Sequence, residues 1–146
     1  VDAGGGVRVV DDYGHNPAKL AAAWAAVSAP GNRVLGAWRP HGYGPLRAMM
    51  APLADAFASV CRAQDKLWLL PVYDAGGTAD RSVSSGELAA KLKARGVAVE
   101  IAADYETLGA EWAREARAGD TILIMGARDP RLPVFARETA ARTARA

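Results

Sequence analysis

The run Thr121-Ile122-Leu123-Ile124-Met125 decides the fold of this chain. A short, unbroken apolar stretch of this kind is typical of a strand that is buried on both faces, as in a parallel sheet. Four similar runs alternate with Ala-rich segments of helical period. The predicted strands are residues 7–10, 33–38, 66–70, 97–101 and 121–125, and the predicted helices are residues 17–28, 46–62, 84–95, 105–117 and 130–145. This alternation predicts an α/β fold with a mostly parallel sheet of five to six strands and helices on both faces.

The composition is that of one globular domain covering residues 1–146, with 51% hydrophobic and 23% charged residues. The net charge is only +2 and there is no Lys/Arg run, so nucleic-acid binding is not expected. No apolar stretch approaches the roughly 20 residues of a membrane span, and no signal peptide is visible, which favours the cytoplasm. With one cysteine and two histidines, neither an internal disulfide nor a zinc site is expected, and Cys61 is predicted to pack in the core.

Several helix ends have recognisable signals. Asn16 before Pro17 predicts a helix that starts at Pro17, because Asn caps helices well and a proline at the first position needs no N–H partner. Ser84 and Glu87 have the spacing of a capping box. Gly96 suits the left-handed position that follows a helix.

Two segments leave alternatives open. Pro52 predicts either a kinked helix or one that begins only near Ala51. Gly4-Gly5-Gly6 before the first strand predicts a tight turn, so residues 1–3 are expected to be the remnant of an antiparallel hairpin from a longer chain. The four tryptophans lie within helical or strand patterns and are expected in the core: Trp24, Trp38, Trp68 and Trp112.

Polar residues gather in the loops that follow the predicted strands. Ligands of open α/β sheets bind at this carboxyl edge, where loops and helix N-termini meet. His15 and His41 lie in these loops, together with the acidic pair Asp11-Asp12 and the dipeptide Arg128-Asp129. We therefore expect His15 and His41, although distant in the chain, to lie together on one rim beside Asp12.

Each of these candidates also has an ordinary structural explanation. The acidic pair could end a strand and favour the next helix dipole, or one carboxylate could bind sugar hydroxyls or Mg²⁺ at a phosphate. The histidines could be plain loop residues, or they could contact phosphate oxygens or exchange a proton with a substrate. Arg47 and Arg128 could be solvated charges, or they could bind a substrate carboxylate.

The chain lacks the motifs of a self-sufficient catalytic domain. It contains no G-x-x-x-x-G-K-[ST] loop for a triphosphate, no G-x-G-x-x-G between a strand and a helix, and no G-x-S-x-G elbow. We therefore expect the isolated domain to have no ATPase activity and to bind ATP weakly at best.

Four motifs nevertheless occur in a distinctive order. They are Asp11-Asp12-Tyr13-Gly14-His15-Asn16-Pro17, then Pro40-His41 with Tyr43 and Arg47, then Val72-Tyr73-Asp74-Ala75-Gly76, then Gly119-Asp120 leading to Met125-Gly126-Ala127. In this order and spacing they resemble the C-terminal domain of the Mur ligases. The resemblance covers nearly all of the chain, and its first motif is the most specific.

The resemblance implies a Rossmann-like domain that belongs to a larger, three-domain enzyme. In that family an N-terminal domain holds a UDP-sugar and a central P-loop domain holds ATP and Mg²⁺. ATP phosphorylates a substrate carboxylate, an amine attacks the acyl phosphate, and an amide and phosphate are formed. The implied partners are therefore ATP, an amino-acid acceptor and a UDP-muramyl-type donor of peptidoglycan synthesis.

The resemblance also implies roles for single residues. By position in the matched motifs, Asp12 and His15 bind the nucleotide, with Asp12 on the ribose and His15 facing the phosphates. His15 and His41 are implied as catalytic residues. His41, Tyr43 and Arg47 lie on the side of the acceptor and are implied as substrate-binding residues. His41 could orient the amine or stabilise the tetrahedral intermediate.

The second motif departs from the alanine-adding members of the family. Their pattern P-H-R-Y-T-R-x-R becomes Pro40-His41-Gly42-Tyr43-Gly44-Pro45-Leu46-Arg47, so two arginines that would pair with anionic groups are missing. We therefore expect a different acceptor or a different donor. Arg128 stands where the family commonly has glycine, and it could bind a substrate carboxylate from another direction.

Two alternatives come from other classes of protein. One is a stand-alone nucleotide-binding module without chemistry. The other is a receiver domain, which also has an acidic pair after its first strand. A receiver needs an aspartate at the end of the third strand and a lysine after the fifth; here Asp74 comes late, and residues 125–128 contain no lysine.

Overall fold

The computed structural model describes residues 6–41, 43–72, 85–126 and 129–143, of which Tyr43, Gly44 and Thr143 are described by their backbone alone. The strands are β1 (Arg8–Asp12), β2 (Val34–Arg39), β3 (Lys66–Leu69), β4 (Val99–Ile101) and β5 (Thr121–Gly126). The helices are α1 (Pro17–Val27), α2 (Tyr43–Ala48), α3 (Met50–Val60), α4 (Ser85–Ala94), α5 (Tyr105–Glu115) and α6 (Arg131–Thr143). Over these described ranges, no helix has both the length and the apolar character that a membrane span requires.

The described strands form one sheet in which every neighbouring pair is parallel, in the order β1-β5-β2-β3-β4. All residues of the central strand β5 are buried. Met125 of this strand lies opposite Asp12 on one side and Trp38 on the other. The predicted parallel α/β fold is therefore confirmed, whereas residues 1–5 of the expected hairpin lie outside the described part of the chain.

Helices cover both faces of the sheet, because successive residues of a strand point to opposite sides. The face of Leu67 and Leu69 packs against α1, α2, α3 and α4, and the face of Trp68 and Leu70 packs against α5 and α6. All four tryptophans are buried, as predicted. Trp24 and Trp38 lie in the first core, and Trp68 and Trp112 lie in the second.

Trp24 of α1 packs directly on the sheet at Gly36. A Cβ atom built on Gly36 would lie 2.1 Å from Cζ3 of the Trp24 ring, so the ring occupies the space that any side chain at this position would need. The indole Nε1 donates to Oδ2 of Asp65 at 3.1 Å, which holds the ring in place from its other end.

Asp65 joins several elements at the amino edge of the sheet. Its buried carboxylate accepts hydrogen bonds from the backbone N–H of Val34 at 2.9 Å and from the side chain of Arg62 at 3.0 Å, besides the bond from Trp24. Burial alone would raise the pKa of Asp65, but these hydrogen bonds outweigh it and hold the pKa below its ordinary value. The carboxylate is therefore ionised and bonded in the folded chain.

The single helix predicted over residues 46–62 is wrong, because the region forms two helices and the first begins at Tyr43. Met49 separates them, with φ −108° and ψ 12°. Pro45 lies in the first turn of α2 and Pro52 in the first turn of α3. A proline is tolerated there because the first N–H groups of a helix have no partner within it, so two prolines this close require two helix starts. The interruption expected from Pro52 is confirmed.

The first strand also extends beyond its predicted end. It continues through Asp11 and Asp12, because the pairing with β5 runs as far as Met125. The acidic pair therefore belongs to the strand, and the loop begins only at Tyr13.

The fourth strand is shorter than predicted and begins at Val99. The reason lies in the end of α4, where the N–H of Gly96 donates to Lys93 O and the N–H of Val97 donates to Leu92 O. Gly96 has the positive φ of 83° that this helix end requires. Residues 96 and 97 thus close the helix instead of pairing in the sheet.

The remaining local predictions have mixed outcomes. Asn16 caps α1 by accepting from the N–H of Lys19 at 2.9 Å, with Pro17 in the first turn, as predicted. Ser84 of the expected capping box lies outside the described residues. Cys61 is half-buried at the end of α3 and packs against the first core. The other segment ends within the described residues agree with the prediction or differ from it by one or two residues, and the predicted helix ends at residues 84 and 145 lie outside these residues.

Candidate functional site

The candidate site lies where β1 and β5 meet at the carboxyl edge. These strands are neighbours, yet the helix after β1 packs on one face of the sheet and the helix after β5 packs on the other. Helices that leave adjacent strands toward opposite faces open a crevice between the loops, which is the usual ligand position in such sheets. A groove runs from the end of β1 along α1, and its described lining includes Asp11, Asp12, Tyr13, Gly14 and His15.

His15 and His41 lie next to each other on this rim. Their ring centroids are 6.3 Å apart and the rings are inclined by 61°, an edge-to-face arrangement. Both side chains are half-buried. His15 comes from the loop after β1 and His41 follows the end of β2, so the sheet order brings together two residues that are far apart in the chain.

The two aspartates at the end of β1 point to opposite faces of the sheet. Val10 packs with the core on the α1 face and Val9 with the core on the α6 face, so the strand alternation places Asp12 on the α1 side and Asp11 on the α6 side. Burial, reinforced by the charge of Asp12, raises the pKa of Asp11, and Arg137 opposes this shift. Of the pair, Asp12 is therefore the carboxylate that faces the loop of His15.

Asp12 shapes the loop that carries His15. Its Oδ1 accepts a hydrogen bond from the N–H of Gly14 at 2.7 Å. The Nδ1 atom of His15 lies 3.3 Å from the carbonyl oxygen of Tyr13. A carbonyl oxygen only accepts, so Nδ1 carries the proton in this contact and Nε2 is left for a partner outside the loop. The loop thus orients the ring before any ligand binds.

The groove contains further residues that the sequence did not single out. Lys19, in the first turn of α1, lies on the same groove as Asp12 and His15, and Ala22, Ala23 and Ala26 line it along the helix. Tyr13 is 75% exposed beside them. The position of Lys19, three residues after the cap residue Asn16, was the available signal, because the first turn of a helix faces the preceding loop.

The other predicted substrate residues are less well placed. Tyr43 begins α2, but its side chain lies outside the described part. Arg47 lies exposed on α2, whereas the described lining of the groove comes from β1, its loop and α1. Arg128, and Asp74 of the receiver alternative, lie outside the described residues. The roles assigned to these residues stay predictions.

A second polar cluster lies at the same edge, and of its members the sequence singled out only Asp129, as part of the dipeptide Arg128-Asp129. It consists of Arg39 at the end of β2, Tyr105 at the start of α5, and Asp129 just before α6. The Tyr105 hydroxyl donates to Oδ2 of Asp129, and the Nε atom of Arg39 lies 3.4 Å from the same oxygen. The Arg39 guanidinium also lies 5.3 Å from the centroid of the Tyr105 ring. No sequence signal links these residues, since each comes from a different segment.

A parallel, doubly wound sheet with aspartates and two adjacent histidines at its switch point has the architecture of an α/β ligand-binding domain. The family description "Mur ligase, glutamate ligase domain" matches residues 1–128. The chain therefore belongs to the Mur ligase family, as its motifs indicate, and this assignment gives no support to a receiver domain.

Named relatives agree with this assignment. The chain is 36% identical over 126 residues to the UDP-N-acetylmuramate–L-alanine ligase of Oleidesulfovibrio alaskensis, a match that covers 84% of this chain and 27% of the relative. It is 38% identical over 129 residues to the enzyme of the same name from Xanthomonas oryzae pv. oryzae, covering 86% of this chain and 26% of the relative. The chain thus spans about a quarter of the length of these relatives.

Solved structures show the same fold. The murein peptide ligase of Psychrobacter arcticus superposes with a TM-score of 0.71 at 12% identity, covering 100% of this chain and 29% of that chain. The UDP-N-acetylmuramate-alanine ligase of Thermotoga maritima superposes with a TM-score of 0.64 at 17% identity, covering 93% of this chain and 26% of that chain. At these identities the likeness concerns the fold alone.

Proposed function

We propose that this chain is the C-terminal, cleft-closing domain of an ATP-dependent ligase that joins an amino acid to a UDP-muramyl-type carboxylate. The observation that carries the proposal is the contact between His15 and His41, whose ring centroids are 6.3 Å apart at the switch point of the sheet. Membership of the Mur ligase family and the name of the relatives, UDP-N-acetylmuramate–L-alanine ligase, support the reaction class.

The groove beside β1 fits one side of a nucleotide. Within the described part of the chain, the N–H of Gly14 donates to Oδ1 of Asp12. The other carboxylate oxygen, Oδ2, would accept from a ribose hydroxyl. Lys19 adds a cation on the same groove, and the N-terminus of α1 directs its dipole toward an anion there. When bound, ATP with Mg²⁺ supplies the phosphoryl group that activates the carboxylate. Binding of the triphosphate is assigned to a separate P-loop domain, because this sequence contains no P-loop.

The two histidines face the place where the carboxylate and the amine would meet. With Nδ1–H of His15 held by the carbonyl oxygen of Tyr13, a proton on Nε2 would make the ring an imidazolium whose second N–H donates to a phosphate oxygen. His41, beside it, would orient the incoming amine or stabilise negative charge in the tetrahedral intermediate. Closure of this rim would also exclude water, which would otherwise hydrolyse an acyl phosphate.

The acceptor side distinguishes this chain from the alanine-adding members. Gly42 and Pro45 stand where those members have arginines, and Arg47 and Arg128 remain as the cations that would bind a carboxylate. We therefore assign Tyr43, Arg47 and Arg128 to the substrate side and propose an acceptor or donor that differs from the usual pair. A cytoplasmic location, where UDP-sugars and ATP are available, is part of this proposal.

The test uses the native polypeptide that contains these residues. Purified protein is incubated with ATP, Mg²⁺, a UDP-muramyl donor and a panel of amino acids, and phosphate release is measured together with the amide product by mass spectrometry. Donor- and amino-acid-dependent phosphate release supports the proposal. His15→Gln is expected to reduce turnover about 100-fold, which is typical for a single group acting at the reacting atoms. Asp12→Asn is expected to reduce turnover as well, through the lost ribose contact and the loosened loop of His15.

A matched substitution separates a site effect from a general one. Asp55→Asn removes an exposed carboxylate of α3 that pairs with Arg95 and does not line the groove. Turnover of this variant should remain within a factor of two of the original. Circular dichroism confirms the fold of each variant. Absence of ligation with every donor and acceptor, or unchanged turnover in both site variants, would refute the proposed function.

A further inference from the structure

Asp129 connects three segments at the carboxyl edge. Its side chain is only 5% exposed, and its Oδ1 accepts a hydrogen bond from the N–H of Arg131 at 2.9 Å, which caps the start of α6. Its Oδ2 accepts from the hydroxyl of Tyr105 at the start of α5 and pairs with Arg39 at the end of β2. One carboxylate thus joins two helix starts to the strand that leads to His41.

From these contacts we propose that Asp129 is a positioning residue, which anchors Arg39 and thereby holds His41 against His15. The inference deepens the proposed function and rests on it for its significance, because it concerns the same rim. Asp129 itself touches no candidate ligand in this arrangement. It acts on the rim through the backbone that follows Arg39.

The link from Arg39 to His41 is short and stiff. The two residues are separated only by Pro40, which is buried and whose ring restricts φ. A displacement of Arg39 is therefore passed on to His41 with little slack.

The backbone at Arg39 is also confined by the end of β5. Arg39 lies opposite Gly126, and a Cβ atom at Gly126 would lie 3.2 Å from the carbonyl oxygen of Arg39 and 2.6 Å from Leu132 Cδ1. Gly126 has a φ of 153°, which side chains rarely adopt. The strand ends and α6 are thus packed closely. Because Asp129 also holds the start of α6 through the Arg131 N–H, its ion pair with Arg39 joins the end of β2 to that packing.

The contacts of Asp129 depend on its charge. Burial raises the pKa of the Tyr105 hydroxyl, and the hydrogen bond to Asp129 raises it further, so this hydroxyl remains a donor at neutral pH. The Arg131 N–H donates to the other carboxylate oxygen, and the Arg39 guanidinium is an ion-pair partner at 3.4 Å. An asparagine would present an NH₂ group to at least one of these donors, which breaks a bond that an ionised carboxylate makes.

Nuclear magnetic resonance of the two imidazoles tests the proposal without any ligand. The chain contains only two histidines, so their Cε1–Hε1 signals can be assigned with His15→Gln and His41→Gln. The unsubstituted chain should show a nuclear Overhauser effect between the rings. Asp129→Asn should reduce its intensity by more than half and shift the His41 signal, and Arg39→Gln should have the same effect.

Glu138→Gln is the matched control. It removes an exposed carboxylate that accepts from Arg131 at 2.9 Å on the same helix, so it changes charge near Asp129 without touching Arg39. Both imidazole signals should stay unchanged in this variant. If Asp129→Asn does not fold, Arg39→Gln decides the question, because Arg39 is more exposed than Asp129.

The possible outcomes separate this proposal from the proposed function. Unchanged His41 signals and inter-ring intensity in folded Asp129→Asn and Arg39→Gln overturn the positioning role. Loss of the contact only together with the near-ultraviolet dichroism of the whole domain also overturns it, since the effect is then general. A third outcome is that both substitutions weaken the contact between the rings and shift the His41 signal while the native polypeptide forms no amide. This outcome supports the positioning role and overturns the ligase function alone.

Discussion

Gly36→Ala should destabilise this domain strongly, although it adds a single methyl group to a strand. The new Cβ atom would lie 2.1, 2.6 and 3.1 Å from three ring atoms of Trp24. Ordinary carbon contacts are about 3.5–4.0 Å, so the ring would have to retreat by about 1.5 Å. Trp24 is fully buried, packs edge-to-face on Phe57 and donates to Asp65, so no direction is open to it.

The size of the effect follows from these contacts. Overpacking of a core costs about 1–3 kcal/mol, and loss of the hydrogen bond to buried Asp65 adds about 1–3 kcal/mol. Relief of the glycine entropy in a strand returns about 0.5–1 kcal/mol. We therefore expect the free energy of unfolding to fall by about 3 kcal/mol, which lowers the midpoint of thermal unfolding by about 10 °C for a chain of this length.

Urea unfolding followed by tryptophan fluorescence measures the change. Gly31→Ala is the control, because a Cβ atom there meets nothing within 4 Å. The double variant Gly36→Ala/Trp24→Phe should lose less stability than the sum of its single changes, since a smaller ring relieves the clash. If the free energies of unfolding of Gly36→Ala and of the Gly31→Ala control both lie within about 0.5 kcal/mol of the original, this account of the packing is refuted.

Three further predictions concern stability and reactivity. Asp65→Asn should lower the free energy of unfolding by about 1.5–3 kcal/mol at pH 7, since the buried carboxylate accepts from Trp24, Val34 and the partly exposed Arg62, and an amide leaves one of these donors without an acceptor. The folded-state pKa of Asp65 is lowered, so its contribution to stability is present above the unfolded pKa of about 4 and is lost as the pH falls through the folded value. In urea unfolding from pH 7 to pH 2, the difference in stability between the original and the variant should therefore shrink only below about pH 4. Gly96→Ala should cost about 1 kcal/mol from the positive φ alone, because the space around it is open, and a variant as stable as the original in the same assay would contradict that backbone argument. Burial raises the pKa of the Cys61 thiol to about 12, so iodoacetamide followed by mass spectrometry should modify it far more slowly in the native chain than in urea; equal rates would show that the thiol is accessible.

Local chemistry allowed much of this protein to be predicted from its sequence. The apolar run at residues 121–125 is buried in the central strand, and Asn16 with Pro17 starts α1 as expected. Gly96 ends α4 with a positive φ. Each of these features depends on neighbours within a few residues, which is why a single sequence is sufficient to predict them.

Only the tertiary structure decided how the site is composed. Asp11 and Asp12 are adjacent in the sequence, but strand pairing extends through both and sends them to opposite faces, so one of them faces His15. The contact of His15 with His41 requires β1 and β2 to flank β5, which the sheet order determines.

The contacts within the cluster around Asp129 could not be predicted from the sequence at all. Arg39, Tyr105 and Asp129 come from three separate segments, and none carries a motif that points to the others. They meet because β2 and β5 end side by side while α5 and α6 pack on the same face. The sequence alone determined the succession of strands and helices, the start of α1, the end of α4 and the family to which this chain belongs. The partners of the charged side chains depend on the order of the strands, since charges interact across space whatever their separation in the chain.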